Sequence, residues 1–368
     1  MTSKNRKLLY GHLDGYIDVK KNLIHNQTVQ IESTSLSFID EYCDSFEVKC
    51  TLWGDVSKPL VVLLGGISAD RWALDCQDLE RAGWWRQVVN QHSYLNIDNF
   101  CFLTFDYLVF PERFINPPVI TTNDQANILS QIQVGLKLPQ FYAVIGSSYG
   151  GMVALAFAAQ FPTALAHLIC IAAADYNSVK SQALRSIQRK IIQLGNQSSA
   201  GGDGAIKNSV NTKSMVALAR SLAMVGYRGE AELEDRFQSK MPGLALDKVS
   251  AYLQHKGEDF AENFAVSRYL QLSQSIDFHS VDVSTIQVKT QLIGISTDQM
   301  VPVKLVQDLR QKINNNWATT CEAKIIDSNY GHDGFLLEGD QLNQIFRTFF
   351  NEKKHDYFKP NNRSAGGH

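Results

Sequence analysis

Short apolar runs alternate with longer stretches of helical spacing between Phe46 and Ala173. The runs fall at 46–53, 60–65, 100–105, 141–146 and 167–173, and each predicts a strand. Leu60-Val61-Val62-Leu63-Leu64 is the most continuous of them, as a strand buried on both faces should be. From about Asn177 to Ile276 the strand runs stop and helical periodicity takes over, at 178–194, 212–227, 231–238 and 246–274. Strands return at 288–295 and 323–326. The pattern predicts an α/β protein with a mainly parallel central sheet and an inserted helical lid. It divides the chain into a first core segment (1–176), the lid insertion (177–280), a second core segment (281–350) and a polar tail (351–368). The first 30 or so residues are polar and mixed, and no element is predicted there. Residues 195–204 read as a flexible, low-complexity connection, and no internal repeat is present.

The run Phe141-Tyr142-Ala143-Val144-Ile145 leads directly into Gly146-Ser147-Ser148-Tyr149-Gly150, a G-x-S-x-G pattern, and a small, helix-compatible segment follows. Strand, sharp turn and helix together predict that Ser148 sits at a strained turn with its hydroxyl in the open. Gly146 and Gly150 leave room for the strand–helix crossing. The Tyr149 amide then lies at a helix N-terminus, where it can face developing negative charge. A second amide donor should come from the loop after an earlier strand. Leu60–Leu64 runs into Gly65-Gly66-Ile67, so the Ile67 amide is the candidate.

A nucleophilic serine needs a base and an acid, and the α/β-hydrolase fold orders them Ser, acid, His. Asp298 follows the strand-like Gln291-Leu292-Ile293-Gly294-Ile295. His332 lies between glycines in the loop after Ala323-Lys324-Ile325-Ile326. The chain has nine histidines, so a lone loop histidine proves little. The ordered set Ser148, Asp298, His332, each following a predicted strand, makes the case. Asp327 and Asp277 are weaker candidates for the acid: one precedes His332 too closely and the other ends a helical region.

Composition narrows the partners. Net charge is −2, which gives no reason to expect nucleic acid or an anionic membrane. No apolar run approaches the ~18 residues of a membrane span. The basic residues 1–7 precede no long apolar stretch, so a signal peptide is not expected. The six cysteines form no C-x-x-C and no ligand spacing, which points to free thiols in a reducing cytoplasm and to no metal.

Several segments resemble the homoserine O-acetyltransferase family, over about 46–350. They are Gly83-Trp84-Trp85, Ser148-Tyr149-Gly150-Gly151-Met152, Asp298-Gln299-Met300-Val301-Pro302, Gly331-His332-Asp333, and the lid segment from Ala219-Arg220 to Tyr227-Arg228. The resemblance implies an α/β-hydrolase fold and acyl transfer from acyl-CoA to the homoserine hydroxyl, in methionine biosynthesis. It implies a ping-pong acyl-serine mechanism, with acyl-CoA as co-substrate and no bound cofactor. It assigns Arg220 and Tyr227 to the amino-acid site and Asp333 to the substrate amine.

The chain departs from the family pattern near the acyl pocket. Gly65-Gly66-Ile67-Ser68-Ala69 replaces the usual H-A-L-T-G, and Asp106-Tyr107-Leu108-Val109 replaces N-x-L-G. Acetyl and succinyl donors therefore both stay open, as do homoserine and serine acceptors and a homodimer. Arg71, just past the glycines, is a candidate selector for a succinyl carboxylate, since an unpaired charge in an apolar pocket is costly. Pairing with Asp70 or Asp75 is the alternative. A plain esterase or thioesterase with the same triad is the rival activity.

Overall fold

The computed structural model describes residues 24–32, 45–112, 117–197, 210–239, 241–315 and 319–351. The predicted polar tail, Cys43 and most of the low-complexity connection lie outside them. Eight strands among the described residues form one sheet: β1 (Ile24–Glu32), β2 (Ser45–Trp53), β3 (Leu60–Leu64), β4 (Cys101–Phe105), β5 (Ala143–Ser147), β6 (His167–Ile171), β7 (Lys289–Ile295) and β8 (Cys321–Ile326). Their spatial order is β1-β2-β4-β3-β5-β6-β7-β8. β2 pairs antiparallel with β1 and β4, and every pairing from β4 to β8 is parallel.

Residue alternation explains why the middle strands are apolar throughout. Val62, Leu64 and Val144 face one buried layer, while Val61, Leu63 and Ile145 face another on the opposite side. The second layer is closed by α9 (Gly339–Asn351), which turns Leu342, Phe346, Phe349 and Phe350 inward. α1 (Thr122–Gly135) starts with a capping box between Thr121 and Asp124. It packs beside α2 (Tyr149–Gln160), whose first ten residues are all buried. α8 (Val303–Asn314) covers β7 and β8.

The lid segment between β6 and β7 holds α3 (Val179–Gln197), α4 (Val210–Tyr227), α5 (Glu230–Phe237), α6 (Pro242–Asn263) and α7 (Val266–Asp277). α4 packs between α3 and α6. Asp277 anchors the end of α7 to α3 by ion pairs with Arg185 at 2.8 Å and Arg189 at 2.5 Å.

Two expectations are corrected. Residues 24–32 form an edge strand, not part of a featureless start. It buries Gln27, Val29 and Ile31 while Asn26 and Thr28 face out, and the polar Gln27 on the buried face breaks the apolar alternation that would mark a strand. The single helix expected over 246–274 is two, because Phe264 and Ala265 are extended with ψ of 127° and 130°. No Gly or Pro marks that break.

Candidate active site

β3 and β5 are adjacent and parallel, while β4 and β6 lie on opposite outer sides of this pair. The crevice at their carboxyl ends is where sites in open α/β sheets assemble. Ser148 stands there, between β5 and α2, with φ 53° and ψ −121°. A non-glycine residue in that region carries strain of about 1–3 kcal/mol. The surrounding glycines show why the turn survives. A Cβ on Gly146 would lie 2.1 Å from the Gly150 carbonyl oxygen, and one on Gly150 would lie 2.2 Å from that of Leu64. The neighbouring Ser147 is buried and points elsewhere, its hydroxyl 3.4 Å from the Leu64 carbonyl.

His332 Nε2 lies 2.7 Å from Ser148 Oγ, and its Nδ1 lies 2.6 Å from Asp298 Oδ2. The other carboxylate oxygen of Asp298 accepts the Met300 and Val301 amides at 2.8 and 2.9 Å. The acid is thus fully buried and fixed in direction. Burial works against charge on His332, but the Asp298 charge and hydrogen bond outweigh it, so its pKa stands above the ordinary histidine value. The weaker candidates lie elsewhere: Asp277 is the lid anchor, and Asp327 accepts the Ser296 hydroxyl at 3.1 Å.

The loops carrying acid and base are tied together. Thr297 Oγ1 accepts the Gly331 amide at 3.0 Å and donates to the Ser328 carbonyl at 2.6 Å. Above them the end of α4 meets the histidine loop backbone to backbone. A Cβ on Gly229 would come within 2.1 Å of Asn329 O, and one on Gly331 (φ 61°) within 2.4 Å of Tyr227 O. The Tyr227 and Phe335 rings flank the imidazole, with centroids at 5.9 and 5.6 Å.

The Gly65–Ile67 turn also reaches Ser148, since a Cβ on Gly66 would lie 3.9 Å from Ser148 Cβ. The Gly65 carbonyl is held by the Gly150 amide at 2.9 Å and the Tyr107 hydroxyl at 2.7 Å. Tyr149 opens α2, so its amide has no acceptor within the helix.

A cavity of about 690 Å³ lies between the 68–72 loop and lid helices α4, α6 and α7. Ser148 and His332 are not on its lining. It approaches them through Ser68, two residues past Gly66, and through Asp333. Arg220 lines it, with its guanidinium 4.7 Å from the Phe260 ring centre and 5.3 Å from that of Tyr227. Asp333 lies 3.5 Å from Arg228. Burial holds its carboxyl above the usual carboxylate range, against the pull of Arg228, His332 and Arg220. Arg71 also lines the cavity, but its guanidinium meets Asp106 at 2.5 Å. Asp70 is taken by Arg81 and Asp75 by Arg86, so neither sequence-based partner is used.

The ordered triad, the elbow and the glycine turn all meet here, and a model of the alpha/beta hydrolase fold family matches residues 59–339. The chain belongs to the alpha/beta hydrolase fold family. Within that fold, it is similar to a homoserine O-acetyltransferase of Methanocorpusculum labreanum, 28% identical over 300 residues, covering 73% of this chain and 61% of that one. The chain thus spans less than two thirds of that relative's length. It is similar to a homoserine O-succinyltransferase of Xanthomonas campestris, 29% identical, covering 81% of this chain and 77% of the relative. A solved homoserine O-acetyltransferase of Staphylococcus aureus superposes with a TM-score of 0.73 at 25% identity, over 92% of this hydrolase-fold chain and 98% of the other.

Sequence reasoning did not single out Thr297, Phe335, Arg228 or Arg268. Thr297 and Phe335 sit within three residues of Asp298 and His332, which is a usable signal. Arg268 lies on a lid helix with no local mark, and Arg228, though part of the lid segment quoted for the resemblance, was given no role. Among the described residues, no group of three His, Cys, Asp or Glu side chains could hold a metal, and no helix is long and apolar enough to cross a membrane.

Proposed function

We propose that this protein is a homoserine O-acyltransferase that moves an acyl group from acyl-CoA to the homoserine hydroxyl through an acyl-Ser148 intermediate. The observation that carries the reading is the cavity beside the triad. Its lid side offers the Arg220 guanidinium, with no ion pair among the described residues, and the histidine loop offers the Asp333 carboxyl group, 3.5 Å from Arg228. A plain esterase needs neither. Arg220 grips the acceptor carboxylate and Asp333 pairs with its ammonium, with the Tyr227 ring between Arg220 and His332. The names of the similar proteins support the same acceptor.

His332, held by Asp298 in the Nδ1–H tautomer, takes the Ser148 proton as Oγ adds to the thioester carbonyl. The Ile67 and Tyr149 amides receive the oxyanion. The thiol leaves with the proton from His332. The homoserine hydroxyl then attacks the acyl-serine, deprotonated by the same imidazole, and the O-acyl amino acid departs as Ser148 is restored. Water must be kept from that second step. The Tyr227 and Phe335 rings and the lid packed on Gly331 serve this exclusion. Acyl-CoA is a co-substrate, no bound cofactor takes part, and the cytoplasm is the compartment we expect. The assembly stays open; the exposed apolar residues Val179 and Ile187 on α3 and Leu218 and Val225 on α4 are ones a homodimer would cover.

The test is CoA release from acetyl-CoA and succinyl-CoA with homoserine, serine or no acceptor. Sustained release that requires homoserine is expected. Equal turnover without any acceptor would make the protein a thioesterase.

A further inference from the structure

Charge matching around the 68–72 loop leaves one cation over among the described residues. Three guanidinium groups stand there, Arg71, Arg81 and Arg268, with two carboxylates, Asp70 and Asp106. Arg71 takes Asp106 and Arg81 takes Asp70. Arg268, on α7, reaches only carbonyl oxygens: that of Tyr107 at 2.9 Å and that of Ala69 at 3.2 Å. Its remaining neighbours are the Phe264 ring, 5.8 Å away, and the charges of Asp106 and Asp70, which act on it without forming an ion pair. Neutral carbonyls orient a guanidinium but do not cancel its charge, and a partly desolvated cation favours an anion beside it.

The place of this charge says which anion. Ala69 closes the turn that begins at Gly65, through its amide bond to the Gly66 carbonyl at 2.9 Å. Tyr107 donates its hydroxyl to Gly65. Arg268 therefore grips both segments that frame the Ser148 turn. Arg220 and Lys256 also line the cavity without an ion pair among the described residues, and Arg220 stands on the lid beside Tyr227. The separate positions of Arg220 and Arg268 call for two separate anions. Homoserine supplies one.

We propose that Arg268 is a specificity-determining residue that reads the free carboxylate of a dicarboxylic acyl donor of the succinyl class. This rests on the reading of Ser148 as the acyl acceptor. A guanidinium with two N–H groups already fixed keeps others for a carboxylate, and it is held in place before the donor arrives. Arg71, neutralised by Asp106, is the weaker reader of the same group.

A phosphate of CoA is the other source of anionic charge, so the experiment varies the carrier. The burst of thiol release that reports Ser148 acylation is measured with acetyl and succinyl thioesters of CoA and of N-acetylcysteamine, which has no phosphate. Wild type, Arg268→Lys and Arg268→Gln are compared, each checked by thermal melting. The expected result is a wild-type preference for succinyl on both carriers. In Arg268→Gln the succinyl-to-acetyl ratio falls by about tenfold or more on both, with partial retention in Arg268→Lys. A ratio unchanged in Arg268→Gln makes the residue a lid anchor and overturns the proposal. So does a loss confined to CoA thioesters, which makes it a phosphate contact, and so does a wild type that prefers acetyl. The burst needs no acceptor, so it decides the role of Arg268 even if homoserine proves not to be the acceptor. Absence of any burst would instead remove Ser148 acylation and the proposal with it.

Discussion

Replacing Asp298 with Asn separates the orienting role of the acid from its bulk. The two shapes are nearly the same, and the oxygen that accepts the Met300 and Val301 amides remains available. Those two bonds fix the side-chain direction, so the new amide N–H₂ faces His332 Nδ1 at the position now held by Oδ2, 2.6 Å away. Two donors cannot share that gap. The imidazole must present a lone pair at Nδ1 and carry its proton on Nε2, where it can no longer accept the Ser148 proton. Loss of the working tautomer costs about 10⁴ in kcat, or about 5 kcal/mol of barrier. A second readout follows from charge. Activity requires neutral His332, so the rate falls as pH drops through its pKa. Asp298 raises that pKa, so the acidic limb of the variant's profile should move to lower pH than in wild type. The assay is the pre-steady-state burst of thiol release across pH, with thermal melting to confirm folding. A folded Asp298→Asn variant that loses less than about tenfold, or keeps the wild-type acidic limb, would refute this account of the triad.

Ser148→Ala should abolish transfer by at least about a thousandfold with little change in melting temperature, whereas Ser147→Ala, with its weak 3.4 Å bond, should be far milder; the reverse ranking would move the elbow by one residue. Initial-rate plots against donor at several homoserine concentrations should be parallel, as a covalent intermediate requires, and intersecting lines would mean a ternary complex. Arg220→Lys keeps the charge but loses the planar fork, so the homoserine KM should rise while the donor-only burst survives; a joint fall assigns Arg220 to the donor or the fold. Gly229→Ala drives a Cβ to 2.1 Å from Asn329 O, so it should lower both the melting temperature and kcat; an unchanged kcat would show that the lid contact does not hold the histidine loop.

The elements that bring Ser148, Asp298 and His332 together were legible because their signals are local. β3 and β5 are apolar on both faces, as only a covered parallel sheet allows, and the elbow needs glycines at fixed offsets from Ser148. Asp298 and His332 each follow a strand, and strand ends in a parallel sheet converge on one edge. Linear pattern alone was therefore enough for the fold class, the elbow and the order of the triad. Helix and strand edges were less legible where a buried position is polar, as at Gln27 of β1, or where packing alone extends the chain, as at Phe264 and Ala265.

Which charges are already matched emerges only from the folded chain. Arg71 finds Asp106 across 35 positions, and Arg268 finds the Tyr107 carbonyl across 161. Nothing in the local pattern of either arginine distinguishes a matched cation from an unmatched one. Folding brings such partners together through the sheet order and the lid packing. The same holds for Gly229 and Gly331, which read as ordinary loop glycines until the end of α4 and the histidine loop are seen to occupy one space. Covalent neighbours fix where a nucleophile can stand. The balance of charge around it depends on long-range contacts that a linear pattern does not encode.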